Sequence, residues 1–159
     1  MLVVIEGSDK AGKSTQTRML ASRLKRKGHR VATLAFPNYS TKTGSEIEAF
    51  LHGRRYYPLQ VKHMLLSANR WEKKEEIERA LKKNNVVVLN RYYQSNLVYG
   101  SAGGLKLKWL EALDAGLPKE NLVIVLDVKP TVSMSRMKKK GDLFTFETPS
   151  GKSLELVAK

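Results

Sequence analysis

Apolar and polar positions follow two different periods along this chain. Short apolar runs rich in β-branched residues recur at Leu2-Val3-Val4-Ile5, between Val31 and Phe36, at Val86-Val87-Val88-Leu89 and from Leu122 onward. Runs of this length and composition predict strands at 2–6, 30–36, 86–89 and 122–128, the second stopped by Pro37. The segments between them carry helical spacing instead. Met19, Leu20 and Leu24 predict a helix over 14–27, ended by Gly28. A short helix is expected at 45–51. Val61, Leu65, Ala68 and the Ile77/Leu81 pair predict one long helix from 58 toward 83. Two further helices, near 93–102 and 106–114, flank the Gly103-Gly104 turn, and another runs from Pro130 toward 139. The run at 86–89 has no polar alternation, as expected of a strand covered on both faces. Strands alternating with helices around such a strand imply an α/β fold. The expected sheet is doubly wound, mostly parallel and of four or five strands, with its ligand cleft at the strands' carboxyl ends.

Composition narrows this picture. The 159 residues suit one domain, 1–159, with no repeat, linker or low-complexity tract. At 42% hydrophobic and 28% charged the chain is expected to be globular. No apolar run approaches the ~20 residues that span a bilayer. Residues 1–5 are too short for a signal-peptide core and lack a basic leader. The absence of cysteine excludes disulfides and thiolate metal sites, and a cytoplasmic location is the default expectation. The net charge of +14, from 29 basic and 15 acidic residues, could serve a polyanionic partner. The basic residues are dispersed, however, and no aromatic ladder interleaves with them. A lysine-rich solvated surface accounts for them without nucleic acid or a membrane.

Candidate chemistry concentrates just after the first apolar run. Gly7-Ser8-Asp9-Lys10-Ala11-Gly12-Lys13-Ser14-Thr15 fits G-x-x-x-x-G-K-[ST], and it lies between an expected strand and an expected helix, as that motif requires. Gly7 and Gly12 allow a tight turn whose N–H groups converge on a phosphate, and the helix N-terminus adds partial positive charge. Lys13 can reach the β- and γ-phosphates of a nucleotide, and the Ser14 hydroxyl suits Mg2+. Arg91 lies two residues past Leu89, just beyond the strand, so it projects into the cleft, where a guanidinium can grip a phosphate bidentately. A surface ion pair is the plain alternative for Arg91.

Three further stretches go beyond a generic phosphate loop: Phe36-Pro37-Asn38-Tyr39, Ser67-Ala68-Asn69-Arg70-Trp71-Glu72, and Asn90-Arg91-Tyr92-Tyr93-Gln94-Ser95-Asn96-Leu97-Val98-Tyr99-Gly100. With the loop, they make residues 1 to about 137 resemble the thymidylate kinases. That resemblance implies the nucleotide-kinase type of the phosphate-loop NTPase fold, with ATP-dependent, Mg2+-assisted phosphorylation of dTMP to dTDP. It implies catalytic roles for Lys13, Arg91, Asp9 and Lys10, and ATP binding by residues 7–15 and Arg136. For dTMP it implies Asp9, Phe36, Pro37, Tyr39, Leu66, Arg70, Arg91, Ser95, Asn96 and Tyr99. Within that set, Arg70 would donate to a thymine carbonyl, Asn96 would pair with the base, and Tyr99 would exclude a 2′-hydroxyl. Ser14 and Asp9 would face the metal. A homodimer through the apolar face of the 58–83 helix is implied as well.

Plainer roles stay open for several of these residues. Arg70 could form a structural ion pair with Glu72 or Asp9, Asn96 could cap a turn, and Phe36 and Tyr99 could simply pack in the core. The chain also departs from the family pattern. Lys10 replaces an arginine or a small residue. Leu66 stands where a phenylalanine usually meets thymine. Asn90 stands where aspartate is usual, removing a charge near the metal. Beyond Arg136 the family continues with an arginine-bearing lid and further elements, including a fifth strand. Here a lid is expected near 137–148, with Arg136, Lys138, Lys139 and Lys140 as candidate cations. Three alternatives follow: a kinase for another deoxynucleotide or nucleoside, a nucleotide-binding protein with little turnover, or, on the charge of +14 by itself, a nucleic-acid-binding or end-processing phosphate-loop protein.

Overall fold

Four strands form one parallel sheet around two central strands too apolar to leave either face in water. The structure is a computed structural model that describes residues 1–136. The elements run β1 (Leu2–Gly7), α1 (Lys13–Arg26), β2 (Val31–Ala35), α2 (Lys42–Leu51), α3 (Leu59–Trp71), α4 (Lys74–Lys83), β3 (Val86–Asn90), α5 (Tyr93–Ala102), α6 (Leu107–Leu113), β4 (Leu122–Leu126) and α7 (Pro130–Ser135). The sheet order is β2-β3-β1-β4, with every pairing parallel. Successive strand residues point to opposite faces, and two cores result. Val3, Ile5, Val86 and Val88 pack with Ala21, Leu20 and Leu24 of α1. Leu2, Val4, Val87 and Leu89 pack on the other face with Ile77 of α4, Phe36, Tyr92 and Leu117. Helices on both faces make the sheet doubly wound, as expected. Beside the buried centre, β4 stays open: Leu122 is 44% and Val125 66% exposed.

Strand order places the cleft. The chain leaves β1 toward β2 on one side and returns through β3 and β4 to the other. The carboxyl ends of β1 and β3 therefore face an open crevice, where open α/β sheets bind ligands. Both central strands carry candidate site residues just past those ends.

One element differs from the pattern reading. The long helix expected over 58–83 is two helices, α3 and α4, broken at Glu72 and Lys73; Lys73 has φ −104° and ψ 2°. Neither proline nor glycine causes the break. Instead, α3 packs against α2, α5 and α6, whereas α4 packs against β3. The apolar stripe itself changes side: Ile77 lies nine residues past Ala68, about two and a half turns at 3.6 residues each. A straight helix could not present both to one core. The α2 helix also begins earlier than expected. Thr41 is its N-cap, and its hydroxyl accepts from the Gly44 N–H at 3.0 Å, satisfying an otherwise orphaned donor. β4 ends at Leu126 rather than at 128. The lid expected near 137–148, with Lys138, Lys139 and Lys140, lies outside the described residues.

Candidate functional site

The turn after β1 has the shape its glycines permit. Gly7 and Gly12 have φ of 143° and 102°, a region that β-carbons disfavour. At Gly7 a β-carbon would also meet the Leu126 carbonyl oxygen at 2.7 Å. Gly12 is the left-handed N-cap of α1, so Lys13 and Ser14 fall in the helix's first turn. Lys13 folds back into its own loop, and its Nζ donates to the Gly7 and Ser8 carbonyls at 2.8 and 2.6 Å. Burial, assisted by the charge of Arg91 and opposed by Asp9 and Glu6, lowers its pKa to about 8. This ammonium is desolvated and held by two neutral acceptors, with the Asp9 carboxylate 4.0 Å away.

Arg91 faces this loop across the cleft. Its backbone adopts φ 65°, costly for a side chain with a β-carbon, between the end of β3 and the start of α5. The turn carries the guanidinium off the sheet and over the loop. There Nη2 pairs with Asp9 and Nη1 donates to Ser95 Oγ at 3.0 Å. The Tyr99 ring lies 5.9 Å from the guanidinium carbon. Burial raises the pKa of both Tyr99 and Tyr39, with Arg91 opposing the rise in each case. Neither phenol is therefore a ready proton donor near neutrality. Arg136, after α7, donates from Nη1 to the Lys10 carbonyl at 3.1 Å.

These groups surround one cavity of about 620 Å³, lined by residues 9–16 together with Phe36, Asn90, Arg91 and Arg136. Phe36 has neighbours on two sides. It lines the cavity and belongs to the core, its ring centroid 5.8 Å from that of Tyr92. Asn90 sits at the cavity floor. Its Nδ2 donates to Ser14 Oγ at 3.1 Å, while its Oδ1 is buried and has no hydrogen-bond partner among the described residues.

The helix α3 places its residues differently from the sequence expectation. Its buried side is polar: His63, Ser67, Asn69 and Arg70. Arg70 does form an ion pair, but with neither Glu72 nor Asp9. Its Nε and Nη2 donate to Asp114 at 2.9 and 2.7 Å, and the side chains are only 4% and 2% exposed. Glu72 instead accepts from Thr43 Oγ1 at 2.6 Å. Asp114 also accepts from Ser67, so Arg70 keeps only Nη1 without a hydrogen bond among the described residues. Asn96 is turned away from the cavity and is 2% exposed, meeting the ring Nδ1 and the backbone carbonyl of His63. Leu66 packs on the cluster of Ile47, Phe50 and Leu51, so its contacts here are with α2.

Two acids escaped the pattern reading. Asp114 is 44 residues from Arg70 and carries no local signal. Glu6 had one: an acid closing an apolar strand beside a phosphate-type loop. It is buried and accepts from the Tyr92 and Ser95 N–H groups and from the Ser95 hydroxyl.

Comparison with known proteins identifies the family. The family model described as thymidylate kinase matches residues 5–159. The thymidylate kinase of Schizosaccharomyces pombe is 37% identical over 135 residues, covering 85% of this chain and 64% of that protein. The Arabidopsis thaliana enzyme is 37% identical, covering 85% of this chain and 51% of that one. The Homo sapiens enzyme is 38% identical, covering 80% and 61% respectively. The chain thus spans less than two thirds of the length of these curated relatives. Among solved structures, Candida albicans thymidylate kinase superposes with a TM-score of 0.79 at 31% identity, over 90% of this chain and 69% of that one.

Proposed function

The chain belongs to the thymidylate kinase family, and from that premise we propose that it transfers the γ-phosphoryl group of ATP to dTMP, giving dTDP. One observation carries this reading: a phosphate loop and a cleft-facing arginine open onto the same cavity. The loop and its lysine would cradle the donor phosphates. Arg91, held by Asp9, Ser95 and Tyr99, would grip the phosphate of dTMP, one of whose oxygens attacks the γ-phosphorus. Such transfer depends on positioning and charge neutralisation more than on covalent catalysis. On nucleotide binding, the Lys13 ammonium would leave the Gly7 and Ser8 carbonyls for the transferring group. Lys10 and Arg136 would add positive charge at the outer end, and Tyr39 and Asp9 would border the acceptor. Arg70, with Nη1 still available, would donate to a thymine carbonyl, and Tyr99 would bar a 2′-hydroxyl.

The residues present fit Mg2+. In phosphoryl-transfer sites this ion keeps waters and binds substrate phosphates with one or two protein oxygens. Ser14 Oγ, on the cavity wall, would hold it, with Asp9 of the same loop also lining the cavity. Bound there, Mg2+ would supply neutralisation of the nucleotide's phosphate charge.

Three broader readings accompany this one. Residues 1–159 act as a single kinase domain. Two copies pair through α3, whose Met64 is 46% exposed. The protein works in the cytoplasm; no helix of the described residues is long and apolar enough to cross a membrane. The function is tested by ATP consumption against a panel of nucleoside monophosphates, with Lys13→Ala as control. We expect dTMP to be preferred and Lys13→Ala to lower turnover at least ~10²-fold, the scale of losing a preorganised electrostatic contact. Turnover independent of Lys13, or absent with every nucleoside monophosphate, would refute the reading.

A further inference from the structure

We infer that Glu6 is a positioning residue for Arg91, holding it through Ser95 and so setting the grip on the acceptor phosphate; this rests on the function proposed above. Glu6 lies on β1 immediately before the phosphate loop, and its carboxylate points beneath the turn that carries Arg91. Oε1 accepts from the Tyr92 N–H at 2.9 Å and the Ser95 N–H at 3.2 Å. Oε2 accepts from the Ser95 hydroxyl at 2.8 Å. Tyr92 is the N-cap of α5 and gives no side-chain cap of its own. In a capping box, two side chains of the helix share the work of satisfying the N-cap and N3 donors. Here one carboxylate from a neighbouring strand does both and places negative charge at the helix N-terminus.

The consequence reaches the cleft. Arg91 sits at φ 65°, and its backbone is clamped on both sides. Its own N–H donates to the Ile5 carbonyl at 3.0 Å, and the next N–H, that of Tyr92, donates to Glu6. The side chain is clamped as well. Ser95 Oγ, with its hydrogen directed to Glu6, offers its lone pairs to Arg91 Nη1 at 3.0 Å. Without Glu6 the Ser95 hydroxyl has no fixed orientation, and the strained turn loses one of its two anchors. The same strand therefore sets both grips: Gly7 opens the donor loop and Glu6 holds the acceptor arginine.

Glu6→Gln tests this at pH 7. Its Oε1 can still accept from the backbone, but an amide –NH2 replaces the acceptor of the Ser95 hydroxyl. We expect KM for dTMP to rise ~10-fold, the scale of one hydrogen bond involving a charged group, while KM for ATP changes less than about twofold. We also expect Glu6→Gln to have no further effect on dTMP once Arg91 is alanine. A purely structural cap would lower thermal stability and leave the KM values alike. Ser95→Ala keeps both backbone bonds to Glu6 while cutting the link to Arg91, so Glu6→Gln should add no further dTMP effect in the Ser95→Ala protein; if Glu6→Gln does not fold, Glu6→Asp, whose carboxylate is one carbon short of Ser95, is read in the same way. An unchanged KM for dTMP in the folded variants, or additivity with Arg91→Ala, overturns the inference alone. A native protein inactive on dTMP overturns the proposed function and this inference together.

Discussion

Nucleotide affinity should weaken with rising pH as Lys13 loses its proton. The drop of its pKa from 10.5 to about 8 corresponds to roughly 3 kcal/mol between its protonation states. Because the folded pKa is lowered, the unfolded chain holds the extra proton between about pH 8 and 10.5. In that window the stability of the free protein should therefore rise with pH. ATP acts in the opposite sense, since its phosphates favour the charged ammonium and raise the pKa of the bound state. Binding should thus take up about half a proton at pH 8, and Kd should weaken about tenfold from pH 7 to pH 9. Burial moves Tyr39 and Tyr99 upward and His63 downward, away from this window, and the chain has no cysteine; the γ-phosphate of metal-free ATP loses its last proton near neutrality, and the Lys13→Arg protein carries that share without the lysine's. Calorimetry without metal at constant ionic strength, in two buffers of different ionisation enthalpy, reads both affinity and proton uptake. Lys13→Arg should bind without the lysine's weakening toward pH 9, because a guanidinium stays charged. Equal affinity at pH 7 and 9 with no proton uptake would refute the argument, and with it the desolvated state of Lys13.

Three further outcomes follow from particular residues. Asn90→Asp should lower the Mg2+ concentration for half-maximal turnover, because it adds negative charge 3.1 Å from the Ser14 hydroxyl; after screening the gain should be ~1 kcal/mol, and a metal titration showing no change would place residue 90 outside the metal's surroundings. Tyr99→Ala should narrow the preference for dTMP over its ribonucleotide analogue, measured as the ratio of kcat/KM values. Asp114→Ala should destabilise the fold by about 3–5 kcal/mol in urea unfolding, since it strands Arg70 in a buried site. Replacing Arg70 with leucine in the same chain should recover much of that loss.

Local order was legible wherever one contiguous stretch contained both cause and effect. The β-branched runs announced the buried strands, and the glycine spacing between strand and helix announced the phosphate loop. Arg91 was legible because a residue just past a buried parallel strand must emerge at the cleft. Asn90, one residue earlier, emerges at the same end of the strand, but its bond to Ser14 is visible only in the structure. What sequence alone could not settle depended on partners brought close by the sheet order. Arg70 has several acids within reach of a guess, and only the packing of α3 against α6 selects Asp114. Asn96 carries a family motif, yet burial against His63 decides which way its amide turns. The break at residues 72–73 arises because two segments of good helix formers dock on different neighbours. Glu6 acts on α5 across 86 to 89 residues, a distance no local period records. Apolar spacing reports which face of a segment leaves water. The partner of a buried charge or amide is chosen by the energy of leaving it unpaired, and that choice exists only once the whole chain has packed.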